Sequence, residues 1–208
     1  MKHPIKHPAF YMDSSACTGC KTCMVACVDG RNLPEGVLWR RVAEYSGGDW
    51  IRGADGSWSH SVFAYYVSVS CNHCEAPACM AVCPAQAVSK DENGIVRIDP
   101  ALCTGCGRCR KHCPYSAPCF DKKLRVMTKC DGCADRLAAG KQPLCVESCP
   151  MRALRFGEYE ELKERFGDAG HIAPLPEQAL TRPRLLFTPP RAAGTHTSRG
   201  TVANPEEM

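Results

Sequence analysis

The sequence has no apolar stretch long enough to cross a bilayer as a helix, which takes about 20 residues. Its longest candidate, Val62 to Val69, has the length of a strand. The first residues, Met1-Lys2-His3-Pro4-Ile5-Lys6-His7-Pro8, carry neither a secretory h-region nor a twin arginine. The expectation is a chain that neither spans a membrane nor is exported on a signal of its own. Aromatic residues are only 7% of the 208, so something other than side chains must fill part of the interior. No G-x-G-x-x-G fingerprint, P-loop or nucleophile elbow occurs, and no catalytic residue is expected. No dense Lys/Arg run with interleaved aromatics occurs either, which argues against nucleic acid as a partner.

What the chain has in abundance is cysteine, 17 residues in all. Sixteen fall into four related blocks. The most regular is Cys103, Cys106, Cys109 and Cys113-Pro114, or C-x2-C-x2-C-x3-C-P, the spacing by which two-cluster ferredoxins hold iron–sulfur clusters. Three cysteines on a tight loop cap three corners of one cubane, while the fourth points away and serves another. Cys17, Cys20, Cys23 and Cys27 repeat that spacing with Val28 in place of proline. Cys71, Cys74, Cys79 and Cys83-Pro84 have a longer middle gap. Cys130, Cys133, Cys145 and Cys149-Pro150 carry residues 134–144 inserted there. This is an internal repeat, and it sets the architecture.

The crossed-over fourth ligand dictates a pairing. Blocks two and three, separated only by residues 84–102, exchange their last cysteines; blocks one and four are left to each other. Four [4Fe–4S] clusters are expected. The first takes Cys17, Cys20, Cys23 and Cys149. The second takes Cys27, Cys130, Cys133 and Cys145. The third takes Cys71, Cys74, Cys79 and Cys113. The fourth takes Cys83, Cys103, Cys106 and Cys109. A disulfide scaffold is disfavoured by the odd cysteine count and the missing signal. Zinc is disfavoured because its sites use two C-x2-C pairs rather than threes plus a crossed-over fourth. Cys119 belongs to no block and is expected to be a small buried apolar residue. Each cluster would contribute roughly −2, so four turn the formal +4 into about −4.

The expected fold class is α+β, with two-cluster ferredoxin-like modules duplicated and nested. Residues 1–64 plus 115–170 form the outer module, with a β-hairpin insertion at 29–64. Residues 65–114 form the inner one, and 171–208 an extended tail that wraps a partner. Phe10 to Asp13 reads as a strand. Lys21 to Val28 reads as a helix with Met24 and Val25 inward. Leu38 to Tyr45, Val62 to Val69 and Ile95 to Ile98 read as strands. Pro84 to Val88 suits a turn into a short helix, and Asp135 to Ala139 and Tyr159 to Phe166 suit helices closed by Gly140 and Gly167. Trp39, Trp50 and Trp58 all lie in the insertion, as a local satellite core or a partner-binding face. His73 and His112 sit inside blocks whose cysteines are already complete, so they are expected beside a cluster or facing solvent. Lys21, Arg108, Arg110, Lys111 and Lys129 are candidates for raising cluster potentials by their charge.

Stretches outside the cysteines carry a resemblance: Asp13 to Cys23, Glu44-Tyr45-Ser46-Gly47-Gly48-Asp49-Trp50, Val62-Phe63-Ala64-Tyr65-Tyr66 and Ser70 to Glu75. Met127 to Cys133, Cys145 to Pro150 and Ala203-Asn204-Pro205 add to it. Together with the blocks, the chain resembles the four-cluster electron-transfer subunits of the molybdenum oxidoreductases. Among them it is most like the iron–sulfur subunits of anaerobic dimethyl sulfoxide reductases. The resemblance implies a molybdopterin-containing catalytic subunit and a multi-span membrane anchor that oxidises quinol. It also implies a peripheral position on the cytoplasmic membrane, on the outer face by co-export. The Cys17 cluster would lie nearest the catalytic subunit and the Cys103 cluster nearest the quinol. Nitrate reductase relatives have a Trp and a three-iron cluster where Cys106 stands, so a full [4Fe–4S] cluster is implied here.

Overall fold

Four cysteine blocks impose one backbone plan, repeated along the chain. The computed structural model describes residues 5–167, 170–190 and 200–208. Met1 to Pro4, part of the expected signal-free lead-in, and part of the expected tail lie outside the described residues. In every block the residue before the second cysteine is left-handed: Gly19 (φ 68°), His73 (φ 43°), Gly105 (φ 71°) and Gly132 (φ 71°). Glycine takes this conformation without a Cβ penalty, which is why three of the four are glycine. A short helix then follows each loop. These are α1 (Thr22–Gly30), α2 (Ala78–Ala81), α3 (Arg108–Lys111) and, in block four, α4 (Ala134–Ala138) and α5 (Leu144–Glu147).

The proline after the last cysteine decides how far the helix runs. After Cys83-Pro84, Cys113-Pro114 and Cys149-Pro150 the chain turns, with Gln86, Ser116 and Arg152 left-handed at φ 51°, 48° and 54°. After Cys27, Val28 allows α1 to continue to Gly30. That extra length is packed: a Cβ at Gly30 would come within 2.5 Å of Leu144 on α5.

Strands brace these loops. β1 (Pro8–Asp13) is the centre of a sheet, antiparallel to β10 (Leu154–Glu158) and parallel to β11 (Leu185–Thr188). β2 (Arg41–Gly47) is the centre of a second, between β5 (Phe63–Val69) and β12 (Gly200–Val202). Phe10, Met12, Val42, Tyr45, Tyr65, Val67, Leu185 and Phe187 from the two sheets meet Cys23, Cys145 and Cys149 in the main core. Three two-stranded ribbons complete the fold: β3 (Trp50–Arg52) with β4 (Trp58–His60), β6 (Val88–Lys90) with β7 (Val96–Ile98), and β8 (Cys119–Asp121) with β9 (Val126–Thr128). The helix α6 (Tyr159–Phe166) stacks Phe166 on Tyr11 at 4.3 Å.

Several expectations change. Val25 is 65% exposed, so α1 turns Met24 and not Val25 to the core. The chain after Pro84 enters a strand, not a helix, because Val88 to Lys90 pairs with β7 across the Asn93-Gly94 turn. Trp50 and Trp58 are 65% and 62% exposed, so they form no satellite core. Trp39 is half-buried and donates its indole N–H to Thr128 Oγ1 at 3.1 Å. Among the described residues of the tail, the apolar run expected to need cover finds it on its own chain. Leu185, Leu186 and Phe187 are buried as the edge strand β11, and β12 completes the second sheet. Both are edge positions, where flanking prolines remove no ladder bond.

Candidate metal centres

The loops and helices bring the sixteen block cysteines into four groups. Cys71, Cys74, Cys79 and Cys113 line one cavity, with Lys129 and Thr181 beside them. Cys83, Cys103, Cys106 and Cys109 line another, closed by Val88, Ile98 and Met127. Cys17 stands in the field of Cys20, Cys23 and Cys149. Cys27 stands in that of Cys133 and Cys145, and Cys130 in that of Cys27 and Cys145. In each group three cysteines come from one block and the fourth from another. Cavities lie among the thiols of the third and fourth groups, and four cysteines per group are the donor set that an iron–sulfur cubane takes.

The groups form a line. Cys130 of the second feels Cys71 of the third. Cys79 of the third and Cys109 of the fourth share an apolar cluster with Val88, Val96 and Met127. Arg40 faces Cys23 of the first and Cys27, Cys130 and Cys145 of the second. Exposure follows the line: Cys20 at one end and Cys106 at the other are exposed, while all four cysteines of the second group are buried.

Burial makes bare thiolates unfavourable. It pushes the Cys17, Cys74 and Cys109 thiols up to about 11 and Cys27 and Cys79 up to about 12, and it pushes Cys130 well above the ordinary thiol range. A bound metal reverses this by deprotonating its thiols outright. The exposed pair behaves differently. The Thr22 hydroxyl holds Cys20 below the ordinary thiol range, and the Arg108 backbone N–H does the same for Cys106.

Other expected residues find their places. His73 is buried, not solvent-facing; its Nδ1 accepts the Val96 N–H at 3.1 Å. Burial, reinforced by Lys129, pushes its imidazole well below the usual range, so it is neutral. His112 is exposed, with its Nδ1 3.0 Å from the Arg108 carbonyl oxygen. Lys129, from block four, lines the cavity of the third group instead, donating to the Val96 and Cys130 carbonyls. Lys21 pairs with Glu207 at 2.5 Å. Arg110 turns to the Pro118 carbonyl and Cys119. Cys119 is buried and donates to the Leu38 carbonyl at 3.4 Å. Arg40 and Arg31, which no sequence signal singled out, both reach the second group. Arg31 donates to Cys133 but is also paired to Asp131 and Asp135 at 3.4 and 2.5 Å. A depression of about 460 Å³, bounded by His7, Glu75, Tyr159, Arg182 and Arg184, has no cysteine in its lining.

Sixteen thiols grouped this way are the hallmark of an iron–sulfur protein of ferredoxin type. Comparison with known proteins narrows the class. A 4Fe-4S dicluster domain matches residues 62–159. The chain is 50% identical over 200 residues to the B subunit of anaerobic dimethyl sulfoxide reductase from Escherichia coli, covering 96% of this chain and 97% of that one. It is 46% identical to the same subunit of Haemophilus influenzae, covering 96% and 98%. At 34% identity it matches the B subunit of polysulfide reductase from Wolinella succinogenes, covering 88% and 94%. The chain belongs to this family of iron–sulfur subunits; it transfers electrons and is not itself catalytic.

Proposed function

We propose that the chain relays single electrons from a quinol-oxidising, multi-span membrane subunit to a molybdopterin-containing catalytic subunit that reduces dimethyl sulfoxide or related S- and N-oxides. The observation that carries this is the line of four thiol groups with one exposed cysteine at each end. A relay needs two ends that partners can approach and a middle sealed from water. The ligand sets are those of the four groups, each holding one [4Fe–4S] cluster, within two nested, duplicated ferredoxin-like modules. When bound, the clusters supply four one-electron centres whose potentials follow from charge, hydrogen bonds to sulfur and exposure.

The residues of the chain do the rest. Left-handed Gly19, Gly105 and Gly132 let backbone approach the sulfurs closely. Backbone N–H groups aim at sulfur: Met127 donates to Cys103 at 3.3 Å and Gly132 to Cys130 at 3.4 Å. The Cys17 end faces the catalytic subunit and the Cys106 end the quinol. The chain sits peripherally on the cytoplasmic membrane, on the outer face after co-export with the catalytic subunit. The exposed Trp50 and Trp58 ribbon suits a subunit contact.

The test is an anaerobic pull-down of this chain from native membranes, with partners identified by mass and iron counted per chain. A large molybdopterin subunit, a multi-span anchor and about 16 irons are expected from four [4Fe–4S] clusters. Recovery of the chain alone, brown and soluble, would favour a free ferredoxin-like carrier.

A further inference from the structure

A permanent positive charge lies in the interior between the first two thiol groups. Arg40 precedes β2 and is 2% exposed. An arginine cannot shed its proton, so burial must be matched by a countercharge or it is strongly destabilising. Among the described residues no carboxylate pairs with it. Its hydrogen bonds go to neutral groups: Nη1 to the Ser68 hydroxyl at 3.0 Å and Ser68 carbonyl at 3.5 Å, and Nη2 to the Ser70 hydroxyl at 2.9 Å. Phe10 covers one face of the guanidinium at 4.7 Å. Its Nε has no acceptor in hydrogen-bonding geometry. Arg31 is the contrast, since it also approaches the second group but carries two carboxylate partners.

What faces Arg40 is sulfur. Cys145, Cys23, Cys130 and Cys27 are the groups whose charge acts on its guanidinium, and Cys23 and Cys145 pack in the same core cluster as Phe10, the ring that covers it. The first group is reached through one bridge: Ser68 Oγ lies 3.0 Å from Arg40 Nη1 and 3.4 Å from Cys23 Sγ. One cation therefore stands beside two groups and is bridged to the first by a hydroxyl.

We propose that Arg40 is the shared countercharge of the clusters held by Cys17/Cys20/Cys23/Cys149 and Cys27/Cys130/Cys133/Cys145, and that it raises the reduction potential of both. This rests on the ligand sets proposed above. Reduction adds a negative charge to a cluster, and a fixed cation beside it favours that form. Arg40 is thus a positioning residue for charge and touches no substrate.

The experiment is an EPR-monitored redox titration of the intact membrane complex carrying Arg40→Gln, Arg40→Lys or Ser68→Ala. In Arg40→Gln the potentials of two of the four centres should fall while the other two hold. Arg40→Lys should restore most of that fall. Ser68→Ala, which keeps the charge and cuts only the bridge to Cys23, should lower one centre alone. Should Arg40→Gln fail to assemble, the other two variants carry the same contrast. Unchanged potentials in Arg40→Gln or in Ser68→Ala, or an equal fall at all four centres, overturn the proposal. Fewer than four centres in the unsubstituted complex would instead overturn the ligand sets and leave the proposal without its basis.

Discussion

The ends of the thiol line and its middle solve opposite problems. At the ends, Cys20 and Cys106 are exposed, and hydrogen bonds from Thr22 and from the Arg108 N–H stabilise their thiolates. In the middle, Cys27, Cys130, Cys133 and Cys145 are buried, and burial pushes the Cys27, Cys130 and Cys145 thiols up. The ends can therefore exchange electrons with partners across a thin layer of protein. In the middle the cations beside the sulfurs are Arg40 and Arg31. On the relay proposed above, the rim would set its potentials through solvent and hydrogen bonds, and the interior would add these two cations.

The sharpest way to break this contrast is to remove one sulfur from each region. Cys130→Ser should leave the chain unable to accumulate as a folded, iron-loaded subunit, because metal binding in the core is folding free energy. Cys106→Ser should fold and keep the other three clusters, lose or convert the end cluster, and stop turnover with quinol. An artificial donor that feeds the catalytic subunit directly should still support activity. Expression level, iron content and the two activities decide it, and similar collapse in both variants would erase the distinction.

Next in size is backbone geometry at the Cys106 end. Gly105 and Gly107 have almost the same left-handed φ, 71° and 73°. A Cβ at Gly105 meets the Arg125 carbonyl oxygen at 2.4 Å, whereas one at Gly107 meets open space. Gly107→Ala should therefore cost about 1–2 kcal/mol from conformation alone, and Gly105→Ala about 2–5 kcal/mol with the clash added. Denaturant midpoints with iron release as the probe would separate them.

A gentler probe keeps the chain unaltered. During slow iron removal under anaerobic conditions, a thiol-alkylating reagent followed by mass spectrometry should mark Cys20 and Cys106 before any cysteine of the second group. Labelling of Cys130 first would mean that the middle opens before the rim.

The smallest effect concerns the Cys20 end and the tail. Lys21 pairs with Glu207, and Asn204 holds the Glu44 N–H at 2.8 Å. Lys21 holds the Glu207 carboxyl below its ordinary range. A depressed carboxylate contributes above its unfolded pKa and loses that contribution as pH falls through the folded one. Glu207→Gln at neutral pH should speed amide exchange of Val202 and Ala203 a few-fold, on the order of an exposed ion pair's worth. The variant and the parent should converge in acid.

Much of the site was legible in one dimension. Ligand spacing is local chemistry, so C-x2-C and C-x3-C-P announce tight loops and short helices wherever they occur, while the left-handed residue before each second cysteine came to light in the fold. The helix Tyr159–Phe166 with its Gly167 stop was legible for the same reason. Val28 was visible as a departure, but its consequence, a longer α1 packed through Gly30 on Leu144, needed both helices in view. The strand after Pro84 was missed because Val88 to Lys90 is extended by pairing with β7, not by a strong pattern of its own.

What spacing settles is chemistry that a few consecutive residues can complete: the thiol blocks, their loops and the short helices behind them. What it leaves open depends on distant segments meeting. Arg40 and Ser68 are 28 residues apart, yet are hydrogen-bonded in the interior. Lys129 belongs to one block and serves the cavity of another. Leu185 to Phe187 find their cover on β1, more than a hundred residues earlier. Burial, exposure and the placing of a lone charge are properties of the closed surface, and that surface exists only once the chain has folded.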